Sequence, residues 1–371
     1  MSFVETFNRL PGQRSSRLRM FERLLEPATP LEELAARAQR LTRQHFGRTM
    51  RLFAPLYLSN ECINNCKYCG FSRDNPILRT TLTPEQVETE ADHLAALGFR
   101  SILLVAGEHP KFVSSGYLEE CTRRLARRIP SISLEVGPME AEEYLPLTAA
   151  GAEGLVVYQE TYDRGIYDGL HTAGPKKNFD WRLECPERAY AAGFRRLGIG
   201  ALLGLAPWRQ EALALAAHTE YLLARCWKSI LTISLPRLRP AAGEYEPRHP
   251  VADRDFTRLI LALRVAFPQV GLVLSTREPA PLRDALMPLG ITHMSAGART
   301  EPGGYTGAGR ETLHRTERGR LVPVIASEGE QATEQFTISD DRGPAEIADR
   351  LRACGLDPVW KDWDPALAPA A

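Results

Sequence analysis

The chain has 371 residues with 46 Lys and Arg against 46 Asp and Glu, a formal net charge of +0, so no global positive field favours a nucleic-acid backbone. Apolar residues make up 44% and charged residues 25%, ordinary for a globular protein, and no run approaches the roughly 20 apolar residues of a membrane span. The opening MSFVETFNRLPGQRSSRLRMF lacks the apolar stretch of a signal peptide, which makes the cytoplasm the expected location.

Helical signals come first. FERLLE at 21–26 and PLEELAARAQRLTRQHF at 30–46 repeat apolar residues at three- and four-residue intervals, so residues 1–50 are predicted to form a helical N-terminal extension. From Leu52 the period changes, and eight strand-like runs follow. They are LFAPLYLS at 52–59, SILLVAG at 101–107, ISLEVG at 132–137, GLVVYQE at 154–160, RLGIGALLG at 196–204, SILTISLP at 229–236, VGLVLSTR at 270–277 and ITHMSAG at 291–297. Helical runs lie between them, among them TPEQVETEADHLAALG from Thr83, MEAEEYLPL at 139–147, WRQEALALAAHTEYLLARC from Trp208 and DRDFTRLILALRVAF from Asp253. RRLARRI at 123–129 reads as the polar face of another helix.

Nearly continuous aliphatic strands alternating with amphipathic helices predict parallel strands covered by helices. Eight strands over residues 51–305 make a complete (β/α)8 TIM-type barrel the natural count, although an open doubly wound sheet yields much of the same periodicity. In a barrel the polar segments after the strands, from the cysteine loop through GEHP, QETY, PRLRP and STRE to SAGARTEPGGY, converge on one face. Residues 306–371 form a C-terminal extension: an irregular stretch over 306–333, then a capped helix from about Pro344 to Gly355 and an aromatic tail.

Seven cysteines are an odd number in a long chain, which argues against a disulfide framework. Cys121, Cys185, Cys226 and Cys354 are isolated, but Cys62, Cys66 and Cys69 fall within SNECINNCKYCGF. Three thiolates can hold three irons of a [4Fe-4S] cubane and leave the fourth iron open, whereas a structural cluster more usually has four cysteine ligands. Zinc or purely structural binding competes with that reading.

The C-x3-C-x2-C spacing after a strand resembles the radical S-adenosylmethionine superfamily. The resemblance implies that S-adenosylmethionine occupies the open iron and is cleaved reductively. It also places Tyr68 near the adenine and Gly107 and Glu108 of GEHP at the ligand amino group, while Gly70 is expected to permit a tight turn.

Beyond the cysteines, LYLSNECINNCKYCGF, LEVGPMEAEEY, VVYQETYDRGIY, GPKKNFDWRLECPERAYAAG, GIGALLGL, SLPRLRPAAGEYEP, LSTREPAPLRD, MSAGARTEPGGY and PVWKDWD resemble the 2-iminoacetate synthases, tyrosine lyases of thiamine thiazole formation. The resemblance implies cleavage of the L-tyrosine Cα–Cβ bond to 2-iminoacetate, also called dehydroglycine, and p-cresol, with 5′-deoxyadenosine and methionine from the cofactor. It implies cofactor contacts from Glu160 and Arg182, substrate carboxylate contacts from Ser275 and Arg277, and a pocket-lining Tyr305; it names no protein base. Implied partners are thiazole synthase, through it the thiocarboxylated sulfur-carrier protein, and a reduced flavodoxin or ferredoxin-like electron donor. Two departures stand out: PRLRPAAG has Ala241 and Ala242 where the family often has a cysteine, and Ala106 replaces a frequent threonine. The related lyase of hydrogenase cofactor assembly carries a second, C-terminal cysteine-bound cluster, whereas Cys354 stands alone here. A non-catalytic Fe-S scaffold or assembly subunit of the thiazole synthase complex, or another radical amino-acid lyase, are the alternatives.

Overall fold

The computed structural model describes residues 15–317, 320–324 and 329–361. Eight parallel strands run in chain order: β1 (Thr49–Ser59), β2 (Ser101–Ala106), β3 (Ser131–Glu135), β4 (Ala152–Val156), β5 (Arg196–Gly200), β6 (Ile230–Ser234), β7 (Gly271–Leu274) and β8 (His293–Ser295). β8 pairs back onto β1 with Arg51 opposite His293 and Phe53 opposite Ser295. That pairing closes the barrel and excludes the open sheet. Each predicted strand run overlaps one of these strands, with β1, β3 and β4 starting one to three residues before their runs, because a parallel strand buried on both faces leaves an uninterrupted aliphatic run.

Helix α1 (Ser16–Leu25) and helix α2 (Leu31–Phe46) form the N-terminal extension and pack on the barrel helix Asp253–Ala266. Arg258 of that helix donates to the carbonyls of Leu24, Glu26 and Thr29, satisfying groups that the end of α1 leaves open. Helix α3 (Pro84–Ala96) starts where the cysteine loop ends, set by a capping box between Thr83 and Gln86 with Pro84 at its first turn. The basic run at 123–129 lies on and just after the helix Ser115–Leu125, where Arg123, Arg124 and Arg128 pair with Glu119, Glu120, Glu85, Glu88 and Asp92.

The C-terminal extension is more ordered than its composition suggests. A 3-10 turn at Arg310–Thr312 leads into an antiparallel hairpin of His314–Glu317 with Arg320–Pro323. Charge and glycine masked the two short strands in the sequence; residues 318–319 and 325–328 lie outside the described residues. The stretch from 329 to 343 then crosses the C-terminal mouth of the barrel, fastened by Ser339 N–H to Thr276 O at 2.9 Å and by a buried ion pair between Arg283 and Asp340. The expected helix follows at Pro344–Ala353, and a short strand, Asp357–Val359, pairs with Thr49–Arg51 at the opposite end. There the ring of Trp360 meets Phe99 edge-on at 5.3 Å. Among the described residues no helix is long and apolar enough to cross a membrane.

Candidate active site

The cysteine loop leaves β1 and is shaped by buried polar side chains rather than by regular structure. Arg79, 1% exposed, donates to the carbonyls of Asn60 at 2.6 Å, Phe71 at 3.2 Å and Ser72 at 2.7 Å. Asn75 Nδ2 reaches the carbonyls of Cys69, Gly70 and Ala242. These bonds bend the chain so that Cys62, Cys66 and Cys69 share one loop at the C-terminal end of the barrel. Gly70 sits in the expected tight turn, closed by Ser72 N–H to Cys69 O at 3.1 Å, and close packing is what requires a glycine there. Its φ lies outside the left-handed range, but its N–H donates to Gln335 O at 3.1 Å, and a Cβ there would come within 2.5 Å of that oxygen.

Burial pushes the thiols of Cys66 and Cys69 up, and the charges of the neighbouring cysteines add to it, while Lys176 pulls both down. Two neighbouring thiols that resist ionising side by side fit a cationic iron-sulfur core, which would compensate the charge of their thiolates. Among the described residues no three Cys, His, Asp or Glu side chains gather about one point as a single ion requires. A cubane instead spreads its thiolates over separate iron corners.

The end of β2 is zipped to this loop. Gly107 N–H donates to Ser59 O at 3.0 Å and Ile63 N–H to Glu108 O at 2.8 Å; a Cβ on Gly107 would collide with Glu61 O. Glu108 is held by Asn64 Nδ2 at 2.7 Å, and Asn64 Oδ1 in turn accepts the Lys176 N–H at 2.9 Å. Tyr68 is buried, its hydroxyl bonded to His171 Nε2 at 2.8 Å. The other ring nitrogen of His171 meets Tyr167 O, so burial keeps this imidazole neutral, with its pKa lowered to about 3.

Beside the cysteines lies a compact charge cluster. Glu160, just beyond β4, has a φ of 70° that few side chains adopt, and it receives Lys176 at 2.7 Å and Arg182 at 3.4 Å. Burial alone would raise its carboxyl, but the Lys176 and Arg182 charges prevail and hold it below the usual range. Arg182 also donates Nε to Tyr158 O at 2.6 Å, and the Lys176 ammonium stands 5.6 Å from the centre of the Tyr68 ring. Tyr68, Gly107, Glu108, Glu160 and Arg182 therefore surround the cysteine loop.

Next to this cluster the upper barrel holds a chamber that is open at its mouth. Tyr57, Leu103, Val105, Glu135, Tyr158, Ser275, Arg277, Gln335 and Phe336 are among its walls. The Arg277 guanidinium lies flat on Phe336, 3.3 Å from the ring centre, and has no ion pair among the described residues. Gln335 joins the two halves: its Oε1 accepts from Tyr57 at 2.7 Å and its Nε2 approaches Cys69 Sγ at 3.8 Å.

Tyr305 stands elsewhere. Its hydroxyl donates to Pro55 O at 2.7 Å, its N–H goes to Glu90, and its ring stacks on His93 of α3. β8 pairs with β1 only as far as Phe53, so the Pro55 carbonyl on that edge needs another donor, and Tyr305 supplies it. It is not among the chamber walls. The residues that sequence reasoning did not single out are Asn64, Arg79, Glu135, Lys176, Gln335 and Phe336. Asn64 and Lys176 stood inside quoted motifs, and Glu135 ended a predicted strand; nothing in the sequence marked Gln335 or Phe336.

Residues 56–214 match the radical SAM superfamily, and residues 234–357 match the biotin and thiamin synthesis associated domain. The chain is 41% identical over 351 residues to the 2-iminoacetate synthases of Salmonella typhimurium and Escherichia coli, covering 94% of this chain and 88% of each relative. The chain belongs to the 2-iminoacetate synthase family. Among solved structures it superposes on HydG, a maturase of the FeFe-hydrogenase from Carboxydothermus hydrogenoformans, with a TM-score of 0.82 and 34% identity, covering 96% of this chain and 80% of that one. Methylornithine synthase, at a TM-score of 0.70 and 20% identity, covers 94% of this chain and 95% of its own and shares the fold.

Membership of the 2-iminoacetate synthase family accounts for the division seen at the barrel mouth, with cysteines and a charge cluster on one side and a chamber on the other. The cofactors of such an enzyme are a [4Fe-4S] cluster and S-adenosylmethionine. Ala242, one of the two alanines around the family's frequent cysteine position, packs against the apolar group of Tyr57, Phe71, Ile77, Leu103 and Val105, as Cys62 and Cys69 also do, and adds no further thiolate.

Proposed function

We infer that this chain cleaves the Cα–Cβ bond of L-tyrosine by a radical route, giving 2-iminoacetate and p-cresol for thiazole formation, while S-adenosylmethionine becomes 5′-deoxyadenosine and methionine. The observation that carries this reading is one barrel face joining a three-cysteine loop to a chamber whose half-buried cation, Arg277, has no ion pair among the described residues.

When bound, the cluster supplies the electron that releases the hydrogen-abstracting 5′-deoxyadenosyl group from S-adenosylmethionine. Cys62, Cys66 and Cys69 would hold three of its irons. Glu108, kept in place by Asn64, would receive the cofactor ammonium, and Arg182 and Lys176, both fixed by Glu160, would offer cations to its carboxylate. Tyr68 supports this face from below through His171.

Arg277 presents two N–H groups to the tyrosine carboxylate, assisted by the Ser275 hydroxyl, and Phe336 holds the guanidinium plane. Tyr57, Tyr158 and the aliphatic walls enclose the substrate ring and keep water away. Fixing the carboxylate places the substrate amine toward the cofactor side, where hydrogen is taken. Fragmentation then leaves a 4-hydroxybenzyl radical, and one electron from a reduced flavodoxin or ferredoxin-like donor together with a proton completes p-cresol. Unstable 2-iminoacetate is handed to thiazole synthase, which draws sulfur from the thiocarboxylated carrier protein.

An anaerobic assay tests the reading. The reconstituted chain, a reductant, S-adenosylmethionine and L-tyrosine should yield p-cresol together with glyoxylate from hydrolysed 2-iminoacetate. Cofactor cleavage without p-cresol would replace tyrosine by another substrate. Absence of both reactions with a verified cluster would favour a scaffold.

A further inference from the structure

The family resemblance left the protein base unnamed. We propose that Glu135 is that base: its carboxylate binds the ammonium group of L-tyrosine and removes one proton, presenting a neutral amine for hydrogen abstraction. The proposal rests on the tyrosine-lyase reading and deepens it.

Glu135 ends β3 and faces the chamber together with Ser275, Arg277, Tyr57 and Tyr158. Among the described residues its carboxylate has no hydrogen bond and no ion pair, unlike Glu160 and Glu108 on the cofactor side. Glu160 is taken by Lys176 and Arg182, and Glu108 by Asn64. The charges that act on Glu135 come from both sides: Glu160, Arg182 and Lys176 from the cofactor cluster, and Arg277 from the end of β7. Its own charge in turn raises the phenols of Tyr57 and Tyr158. Glu135 therefore stands between the cofactor side and the carboxylate anchor.

An α-amino acid has its ammonium and carboxylate on the same carbon. With the carboxylate on Arg277, the ammonium falls beside that anchor on the cofactor side, and without Glu135 the one charged group among the described chamber walls is the Arg277 cation. An ammonium must also lose a proton before its nitrogen can yield a hydrogen atom readily. Burial, then the charge of Glu160, pushes the Glu135 carboxyl up to about 7 against the pull of Arg277, Arg182 and Lys176. A group that exchanges its proton near neutrality suits this task.

The step balances. One N–H pair of electrons stays on nitrogen while the proton passes to a Glu135 oxygen, leaving a neutral amine and a neutral carboxylic acid. A second N–H bond then breaks homolytically, its hydrogen atom completing 5′-deoxyadenosine. The resulting nitrogen radical uses one electron of the Cα–Cβ bond to form C=N, and the other departs on the 4-hydroxybenzyl fragment.

The test uses the reconstituted holoenzyme under anaerobic conditions, with L-tyrosine and its amine-free analogue 3-(4-hydroxyphenyl)propanoate as probes. The wild type should bind L-tyrosine in preference to the analogue, and kcat/KM for p-cresol should fall as pH drops through about 7. E135Q should lower p-cresol formation by about 100-fold, lose the acid limb and lose the preference for the amine, while still cleaving S-adenosylmethionine. E135D, which keeps the charge, should restore the preference. An E135Q enzyme with wild-type rate, acid limb and preference overturns the proposal, as does an E135D enzyme as indiscriminate as E135Q. A wild type that cleaves the cofactor without making p-cresol overturns the reading beneath it.

Discussion

The two sides of the barrel mouth handle charge in opposite ways. On the cofactor side the charged groups are already satisfied: Glu160 holds Lys176 and Arg182, Glu108 holds Asn64, and Arg79 is spent on the carbonyls of the cysteine loop. On the substrate side Arg277 rests on a ring and Glu135 faces open space, neither with an ion pair among the described residues. Paired buried charges make a rigid seat, because moving one strands the other. Unpaired ones retain their capacity for a ligand that brings both an anion and a cation, as an amino acid does. The first arrangement suits a cofactor that must lie in one fixed geometry beside the cluster, and the second an amino-acid substrate that brings its own anion and cation.

Breaking the cofactor side should abolish all chemistry. Cys66→Ala removes one of three cluster ligands, and both 5′-deoxyadenosine and p-cresol should fall to background, with iron content per chain reduced. Glu160→Gln leaves Lys176 and Arg182 buried without their carboxylate; it should cost about 3–5 kcal/mol of stability, read as a lower unfolding midpoint, and weaken S-adenosylmethionine binding.

Breaking the substrate side should separate the two reactions. Arg277→Ala should lower kcat/KM for L-tyrosine by about 100-fold, as expected when a buried charge pair loses one partner. Affinity for S-adenosylmethionine should stay within about 3-fold, since the cluster of Glu160, Lys176 and Arg182 is untouched. Tyr305→Phe sharpens the boundary from outside the chamber. It should cost about 1 kcal/mol of stability through the lost bond to Pro55 O, with KM for L-tyrosine unchanged.

The same division governs what the sequence could reveal. Cys62, Cys66 and Cys69 are neighbours in the chain, and the strand before them sets their place, so their spacing, with its resemblance to a known superfamily, was enough to point to cluster chemistry. The eight aliphatic runs likewise exposed the barrel strand by strand. Arg277 was reached through its strand-end segment, but the ring beneath it belongs to Phe336, about 60 residues later, in a stretch without periodicity. Lys176 meets Glu160 only because the chain reverses through His171–Ala173, which pairs with Asn65–Cys66. Tyr305 shows the converse: an aromatic residue after the last barrel strand resembled a pocket wall, yet an unpaired carbonyl on β1 fixed its position. Local motifs carried the cofactor side, whereas the substrate side is assembled from β1, β3, β4, β7 and the C-terminal strap.

The most direct test is the molar ratio of p-cresol to 5′-deoxyadenosine in anaerobic turnover of the wild type and of Arg277→Ala. With two separately built sides, the wild type should give a ratio near unity, and the variant should continue to form 5′-deoxyadenosine while the ratio collapses. A variant that keeps the wild-type ratio would contradict the account, because Arg277 would then have no part in holding the substrate.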